Sequence, residues 1–443
     1  MKIIKAASSL KGEAVILGDK SIAHRAIILS ALAGGNTVIK NFPRNDDCLF
    51  TVKAFQKLGV EINLKKDEVK VTGRGLFGLT KPKSDIFLGN SGTSFRMLLG
   101  VLAGQPFETT LKAAKGLSKR PMGRVIYPLR NMGADFSFHH SAGKSEIYPP
   151  ITIKAAKGHL KWLKDYLIPV ASAQVKSAIL LAGLYSENKV CIKEIIKTRD
   201  HTERMLKFFG VNIKVSGNNI ELNSVNKLVS PGKIVIPGDI SSAAFFMVLA
   251  AICPNSRIVL ERISLNPTRA GVLRALKQMG ADISIKEDKS QSKLEPAGDI
   301  VIKSSRLKKI VVKKEEVPSL IDELPILMVA ACFAQGVSRF EGVEELRVKE
   351  TDRIKSMVYN LRKMGSDIKV FSGPGNYQSV VIRGTGGLKG AKVKSFADHR
   401  TAMSMVVAGL ASRGRTGIDD ISCISKSFPG FMDVIGRLRG YRA

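Results

Sequence analysis

Six stretches of the chain are predominantly apolar, and each begins with a single polar residue. They are rich in Ala and Gly, which lets backbones pack closely, so the pattern predicts buried helices rather than amphipathic surface helices. The leading Ser or Asp is predicted to cap each helix. The stretches span residues 21–35, 91–105, 172–186, 241–252, 322–336 and 398–414.

A second, shorter helix follows five of these stretches, and all five end alike. Each helical run closes at a glycine, which suits the left-handed cap of a helix, and alternating Val or Ile residues then begin a strand. A sixth copy at 428–440 ends the chain without such strands. Each repeat is therefore predicted to be strand, helix, strand, helix and two strands, or βαβαββ. The glycines are Gly59, Gly133, Gly210, Gly280 and Gly365.

The six repeats divide naturally into two domains of three. The Pro237-Gly238 pair interrupts the pattern midway along the chain, and 443 residues are too many for one ordinary core. If the buried helices of a domain run parallel, their N-termini gather on one face, where unpaired N–H groups and helix dipoles favour anions. Two such faces across a hinge would form a trap for anions.

Basic side chains recur at the starts of these helices. Lys20, Arg25, Arg96 and Lys176 are examples. Arginine binds carboxylate or phosphate through two parallel hydrogen bonds, so the pattern predicts a substrate with several anionic groups. The Gly18–Ser21 stretch is not a nucleotide P-loop, because its spacing departs from G-x-x-x-x-G-K-[ST].

The net charge is +32, because 70 Lys and Arg outnumber 38 Asp and Glu. Such a field attracts nucleic acid as well as small multiply charged anions, so a basic nucleic-acid-binding protein is one alternative function. The basic residues are spread along the whole chain, and one Trp and seven Tyr offer few platforms for stacking bases. This distribution favours small anions over nucleic acid.

Several other classes of protein are disfavoured. Five cysteines without a C-x-x-C pair predict reduced thiols and no metal site. Apolar runs such as 243–253 are shorter than the roughly 18 residues of a membrane span, and the N-terminus lacks the apolar core of a signal peptide. A cytoplasmic protein is therefore predicted. The G-x-G-x-x-G at 73–78 precedes a stretch that cannot open a helix, so no dinucleotide cofactor is expected.

Five motifs in order carry a family resemblance: LGNSGTSFRMLLGVLAG (88–104), SKRPMGRV (118–125), ELRVKETDRI (345–354), DHRTAMSMVVAGL (398–410) and KSFPGF (426–431). Through them nearly the whole chain resembles the 3-phosphoshikimate 1-carboxyvinyltransferase family, also called EPSP synthases. The resemblance implies an α/β fold of two domains, 21–236 and 1–20 plus 237–443. Each would be an inside-out barrel of three βαβαββ repeats, and the two would be hinged around a cleft.

The resemblance also implies a reaction. The enolpyruvyl group of phosphoenolpyruvate moves to the 5-hydroxyl of shikimate 3-phosphate through a tetrahedral intermediate, and phosphate is released. This is a step of the shikimate pathway towards chorismate and the aromatic amino acids. Two small-molecule substrates, no cofactor, no metal, no nucleic-acid or membrane partner and a monomeric enzyme are expected.

Site residues are carried over from the family's motifs. Asp322 matches the base at the 5-hydroxyl, Glu350 the proton donor and Lys20 a participant in proton transfer. Glu350 is expected to be flanked by basic neighbours at 347, 349 and 353. The shikimate 3-phosphate contacts would be Lys20, Ser21, Arg25, Ser172, Ala173, Gln174, Arg199, Asp322 and Lys349. The phosphoenolpyruvate contacts would be Lys20, Asn90, Gly92, Arg120, Gln174, Arg353, His399, Arg400 and Lys426.

Three positions depart from better-known relatives and point to a divergent branch. Ala173 stands where many members have Ser, His201 where many have Tyr, and Glu345 where many have Asn. A further alternative is the sister family of UDP-N-acetylglucosamine enolpyruvyl transferases. That family generally has a Cys in the loop that corresponds to 111–121, and this chain has none there.

Overall fold

A computed structural model describes residues 1–66, 68–138, 146–288 and 294–440. The chain forms two compact units: residues 18–236, called the N-terminal unit, and residues 1–17 with 237–443, called the C-terminal unit. The first boundary falls after Leu17, three residues before the predicted one after Lys20. Within the described ranges no helix is long and apolar enough to cross a membrane.

The α-helices occur in pairs, one pair for each predicted repeat. Those of the N-terminal unit are α1 (Lys20–Leu32), α2 (Asp46–Lys57), α3 (Gly92–Leu102), α4 (Gly123–Asn131), α5 (Ala173–Gly183) and α6 (His201–Phe208). Those of the C-terminal unit are α7 (Ile240–Ile252), α8 (Gly271–Gln278), α9 (Leu324–Phe333), α10 (Arg353–Lys363), α11 (His399–Ala411) and α12 (Phe431–Leu438).

The strands follow the same repeat. The first two, in the C-terminal unit, are β1 (Lys2–Lys5) and β2 (Lys11–Val15). The N-terminal unit contains β3 (Ala33–Lys40), β4 (Glu61–Lys65), β5 (Glu68–Arg74), β6 (Ile86–Phe87), β7 (Thr109–Lys112), β8 (Phe136–Phe138), β9 (Ile151–Ile153), β10 (Tyr166–Ile168), β11 (Val190–Glu194), β12 (Ile213–Ser216), β13 (Asn219–Leu222), β14 (Leu228–Val229) and β15 (Lys233–Val235). The C-terminal unit continues with β16 (Arg257–Ser264), β17 (Asp282–Asp288), β18 (Ala297–Lys303), β19 (Val311–Val312), β20 (Val337–Glu341), β21 (Asp367–Ser372), β22 (Gln378–Arg383), β23 (Lys392–Val393) and β24 (Arg415–Ile418).

Five sheets share one topology, which confirms the βαβαββ prediction. In the sheet β6-β7-β9-β8, for example, the first pair is parallel and the other two pairs are antiparallel. The sheets around β11, β16, β20 and β3 repeat this order of pairings.

The start of the chain completes two sheets of the C-terminal unit. Strand β2 pairs in parallel with β16, and β1 pairs antiparallel with β24. The sixth repeat, which ends the chain without its own final strands, thus receives a strand from the N-terminus. In the N-terminal unit the corresponding parallel partners of β3 are β14 and β15, which come from the end of that unit.

The first helix of each repeat is buried along nearly its whole length, as its composition predicts. In α7 every residue from Ile240 to Ala251 is buried, and α7, α9 and α11 contact one another. In the N-terminal unit α3 contacts both α1 and α5. Small residues permit this close approach: a Cβ on Gly100 of α3 would lie 2.2 Å from the carbonyl oxygen of Ala178 in α5.

Three of the predicted helix caps are confirmed and three are wrong. The side chains of Ser91, Ser172 and Asp398 each accept a hydrogen bond from the N–H three residues later. By contrast, the cap of α1 is Asp19 rather than Ser21, the cap of α7 is Asp239 rather than Ser241, and α9 follows Glu323, without a side-chain cap, rather than Asp322.

The glycines that close the second helices have the predicted conformation. Gly59 and Gly133 have φ angles of 85° and 89°, and the three later glycines lie in the same left-handed region. The sixth copy ends in the same way at Gly440, with φ of 77°. A residue with a Cβ would be strained at each of these positions.

Candidate active site

In the N-terminal unit, the start of α1 holds Lys20 and Arg25 by different contacts. The Nζ of Lys20 lies 2.9 Å from Oδ2 of Asp47, and both side chains are partly exposed. Arg25 is buried, and its Nη1 donates to the carbonyl oxygen of Ser21 at 2.7 Å. Lys20 is therefore in reach of a ligand, while Arg25 fixes the backbone at Ser21.

Arg25 also joins three helices of the N-terminal unit. Its Nε donates to Oγ1 of Thr202 in α6 at 2.6 Å, and its Nη2 donates to Oγ of Ser177 in α5 at 2.7 Å. The two hydroxyl groups are themselves 2.6 Å apart. One guanidinium group thus ties the start of α1 to the starts of α5 and α6.

The start of α3 lies beside Arg120. A Cβ on Gly92 would stand 3.3 Å from Nη1 of Arg120 and 3.4 Å from Nη1 of Arg96, so the missing side chain leaves room next to two guanidinium groups. Asn90 is exposed, and its Oδ1 accepts the N–H of Leu117 at 3.1 Å. This bond holds the segment that carries Arg120 against the start of α3.

Gln174 connects α3 with α5. Its Oε1 accepts from Nη1 of Arg96 at 2.6 Å, and its Nε2 donates to Oγ1 of Thr93 at 2.9 Å. Ser172, which caps α5, and Ala173 precede it. The contacts therefore bring together the starts of α1, α3 and α5, where most of the predicted residues of this unit lie.

In the C-terminal unit, Asp322 lies among three arginines. Its Oδ2 is 3.8 Å from Nη1 of Arg269, and its Oδ1 is 3.6 Å from both Nη1 of Arg353 and Nε of Arg400. The carboxylate keeps 20% of its surface exposed, whereas the side chains of Arg269 and Arg353 are at most 2% exposed. Neighbouring positive charges stabilise an ionised carboxylate.

Arg353 is fixed by carboxylates on three sides. Its Nε lies 3.0 Å from Oδ2 of Asp398, and its Nη2 donates to Oε2 of Glu350 at 2.5 Å. Burial alone would lower the pKa of Arg353, but the charges of Asp398, Glu350 and Asp322 outweigh it and raise that pKa. The guanidinium is therefore held in its charged form with its direction set.

The basic residues expected around Glu350 each have a carboxylate partner. Arg353 contacts Glu350 itself, Arg347 donates to Asp352 at 2.7 Å, and Lys349 lies 3.6 Å from Glu345. Glu350 remains exposed.

The remaining predicted residues differ in accessibility. His399 and Arg400 are buried at the start of α11, and Nη1 of Arg400 donates to the carbonyl oxygen of Asp322 at 2.8 Å. Lys426 is exposed at the end of a 3₁₀ helix, Ser422–Lys426, and Arg199 is half-buried just before α6. Asp322, Glu350, Arg353 and Arg400 therefore form one contact group, and Lys426 belongs to a separate segment.

Arg269 is a member of this group that the motif analysis missed. It pairs with Glu323 at 3.1 Å and with Asp239 at 3.7 Å, in addition to Asp322. No spacing rule singles out the Asn-Pro-Thr-Arg segment in which it occurs. Over the residues that the structure covers, no group of three or more His, Cys, Asp or Glu side chains is arranged to hold a metal ion.

Comparisons with known proteins identify relatives over almost the full length. The family model EPSP synthase (3-phosphoshikimate 1-carboxyvinyltransferase) matches residues 4–435. A Shouchella clausii protein named 3-phosphoshikimate 1-carboxyvinyltransferase is 44% identical over 435 residues, 98% of each chain. A protein of the same name from Thermoanaerobacter sp. (strain X514) is 43% identical over 428 residues, 97% of each chain.

Solved structures give the same result. An EPSP synthase structure from Acinetobacter baumannii is 42% identical, has a TM-score of 0.86, and covers 98% of this chain and 97% of that one. The resemblance seen in the motifs and the mixed α/β fold predicted from the repeats are thereby confirmed.

Proposed function

Because the chain belongs to the EPSP synthase family, we propose that it transfers the enolpyruvyl group of phosphoenolpyruvate to the 5-hydroxyl of shikimate 3-phosphate. Inorganic phosphate is the second product. The surroundings of Asp322 support this function most directly, since a partly exposed carboxylate lies 3.6 Å from two guanidinium groups that match the family's phosphoenolpyruvate ligands.

In the addition step, Asp322 takes the proton of the 5-hydroxyl while the hydroxyl oxygen attacks C2 of phosphoenolpyruvate. Glu350 gives a proton to the methylene carbon, C3, and a tetrahedral intermediate forms. Binding of the substrate's anionic groups to Arg353 offsets the charge that keeps Glu350 ionised, and so favours the protonated acid. The bond of 2.5 Å between these two residues in the free protein supports this coupling.

In the elimination step, C3 returns a proton to the Glu350 carboxylate, and the C2–O bond to phosphate breaks while the departing phosphate takes up the proton held by Asp322. The carbon–carbon double bond is restored in the product. The leaving phosphate is stabilised by cations, the role proposed for Lys20, Arg120, Arg400 and Lys426. This role requires a charged Lys20, and the ion pair of Lys20 with Asp47 at the start of α1 supports that requirement.

Shikimate 3-phosphate is proposed to bind through residues of both units. In the N-terminal unit these are Lys20, Ser21, Arg25, Ser172, Ala173, Gln174 and Arg199; in the C-terminal unit they are Asp322 and Lys349. The direct hydrogen bonds that join α1, α5 and α6 support a rigid site for a phosphate group. Asn90, Gly92, Gln174 and His399 complete the proposed contacts to phosphoenolpyruvate.

Release of phosphate from the two substrates tests the function. The purified protein should release phosphate from phosphoenolpyruvate when shikimate 3-phosphate is present, and should not do so when UDP-N-acetylglucosamine replaces it. A folded protein that is inactive with shikimate 3-phosphate would overturn the proposal. Activity with the nucleotide sugar instead would favour the sister family, which the comparisons do not favour.

A further inference from the structure

Lys176 is one of the basic residues at helix starts that predict an anionic substrate, but its side chain does not point to a ligand. Its side chain is fully buried, and its Nζ lies 2.9 Å from Oε2 of Glu194 and 2.7 Å from Oε1 of Glu203. Both glutamates are at most 5% exposed. The ammonium group is thus committed to two carboxylates inside the protein and is not presented to a ligand.

The same cluster also forms hydrogen bonds with the N–H and with the carbonyl oxygen of Thr198. Oε1 of Glu194 accepts the N–H of Thr198 at 3.1 Å and also accepts a short bond from the Thr198 hydroxyl. The carbonyl oxygen of Thr198 accepts from Nζ of Lys176 at 3.3 Å. The peptide groups on both sides of Thr198 are therefore fixed, and the second of them leads directly into Arg199.

The other end of Lys176 belongs to the first turns of α5. That helix begins at Ala173 after its cap Ser172, and Gln174 precedes Lys176 by two positions. One buried side chain consequently joins the segment of Arg199 to the helix start that carries the other proposed phosphate contacts. On the far side of Arg199, Asp200 pairs with Arg204 at 2.9 Å, which ties the segment to α6.

Stability alone does not account well for this arrangement. Oε2 of Glu203 is buried without a hydrogen-bond partner among the described residues, and burial raises the pKa of Glu203 against the opposing charge of Lys176. Buried ion pairs are often no more stabilising than apolar side chains of similar volume. Such a network does fix the relative positions of the segments that it joins.

We propose that Lys176, Glu194 and Thr198 are positioning residues that set the affinity for shikimate 3-phosphate by fixing Arg199 relative to the start of α5. They do so without contacting the substrate. The inference rests on the proposed function and on the role of Arg199 in it. In this proposal the buried cluster keeps Arg199 and the start of α5 in the relative positions that binding of one phosphate group requires.

Steady-state kinetics with each substrate varied separately tests the proposal. Thr198→Val removes the hydroxyl donor but keeps the shape of the side chain, and Lys176→Met removes the buried charge. Each should raise KM for shikimate 3-phosphate about tenfold or more, the usual effect of losing a hydrogen bond to a charged group, and leave kcat and KM for phosphoenolpyruvate within about twofold. Thr198→Ser, which restores the hydroxyl, should restore the parent KM.

Lys189→Met is the matched control. Lys189 pairs with Glu221 at 2.9 Å on the surface, beside β11, the strand that contains Glu194. This variant should leave all three kinetic constants unchanged. Unchanged KM for shikimate 3-phosphate in folded Thr198→Val protein would overturn the inference, as would a fall in kcat alone together with a lower unfolding temperature. Should Lys176→Met not fold, Thr198→Val and Thr198→Ser decide. Lack of turnover by the parent protein would instead overturn the proposed function.

Discussion

At the scale of single residues, the arginines around Asp322 differ in what else they contact. Arg269 is also paired with buried Glu323, so its charge is satisfied within the protein. Arg353 and Arg400 are the two proposed to bind phosphoenolpyruvate, and a bound dianion would share their charge. Asp322 is therefore expected to be a better proton acceptor with substrate bound than in the free protein.

Replacement of Asp322 tests its role as the base. Asp322→Asn keeps the shape but cannot accept the proton, so kcat should fall by about 10²- to 10⁴-fold, the usual contribution of general acid–base catalysis. Asp367→Asn is a suitable control, because Asp367 pairs with exposed Arg383 in the same unit. Parent-like kcat in Asp322→Asn, measured by phosphate release, would remove Asp322 from this role.

His24 makes stability depend on pH. Its ring is fully buried, its Nδ1 lies 2.7 Å from Oγ1 of Thr51, and burial lowers the pKa of His24 to about 3. The neutral form is thus favoured by folding, and this contribution is complete above the ordinary histidine pKa of about 6.5 and is lost as the pH falls towards 3.

A His24→Asn variant should therefore show a weaker dependence of stability on pH. The difference in unfolding temperature between parent and variant is expected to narrow steadily from pH 6.5 to pH 3.5, as followed by circular dichroism. His159→Asn, at an exposed histidine, serves as the control and should follow the parent. A constant difference across this range would show that His24 does not titrate as described.

At the scale of helices and strands, the repeat was predictable but the exact helix starts were not. The glycine caps and the alternating strands are local signals, and they were found where expected. Asp19 and Asp239 stand two residues before Ser21 and Ser241, and either residue type can cap a helix. The choice between them depends on contacts with distant segments, such as the bond from the N–H of Asp239 to the carbonyl oxygen of Leu17.

Arg269 joins the helix starts of the C-terminal unit, and its removal should be costly. In Arg269→Leu, fully buried Glu323 loses its cation at 3.1 Å and is left with Arg400 at 3.9 Å, so the unit should lose about 3–5 kcal/mol of stability. Arg383→Leu breaks an exposed pair with Asp367 and should cost about 1 kcal/mol or less. Urea unfolding of both variants measures the difference, and equal losses would contradict the account.

At the scale of the whole molecule, the pairing of segments far apart in the chain is what local sequence patterns could not predict. Local patterns predicted six repeats, but the parallel pairing of β2 with β16 joins residues about 246 positions apart, and nothing in either strand identifies the other. The same holds for the site. Motifs identified Arg353 and Arg400, whereas the position of Arg269 depends on how two repeats pack together. The buried position of Lys176 depends on its pairing with Glu194 and Glu203, which come later in the same repeat.

Residues of both units are proposed to bind phosphoenolpyruvate, and one variant in each unit tests this assignment. Arg120→Ala and Lys426→Ala each remove a cation assigned to this dianion, so each should raise KM for phosphoenolpyruvate by about 10- to 100-fold. KM for shikimate 3-phosphate should change less. An effect confined to Arg120→Ala would restrict the binding of phosphoenolpyruvate to the N-terminal unit.

Phosphorus NMR of a reaction mixture tests the central claim most directly. With protein, phosphoenolpyruvate and shikimate 3-phosphate together, the phosphoenolpyruvate signal should give way to inorganic phosphate, while the phosphate monoester of shikimate is kept in the product. Neither substrate alone should react. Release of phosphate from phosphoenolpyruvate alone, or no change with both substrates and folded protein, would contradict the account.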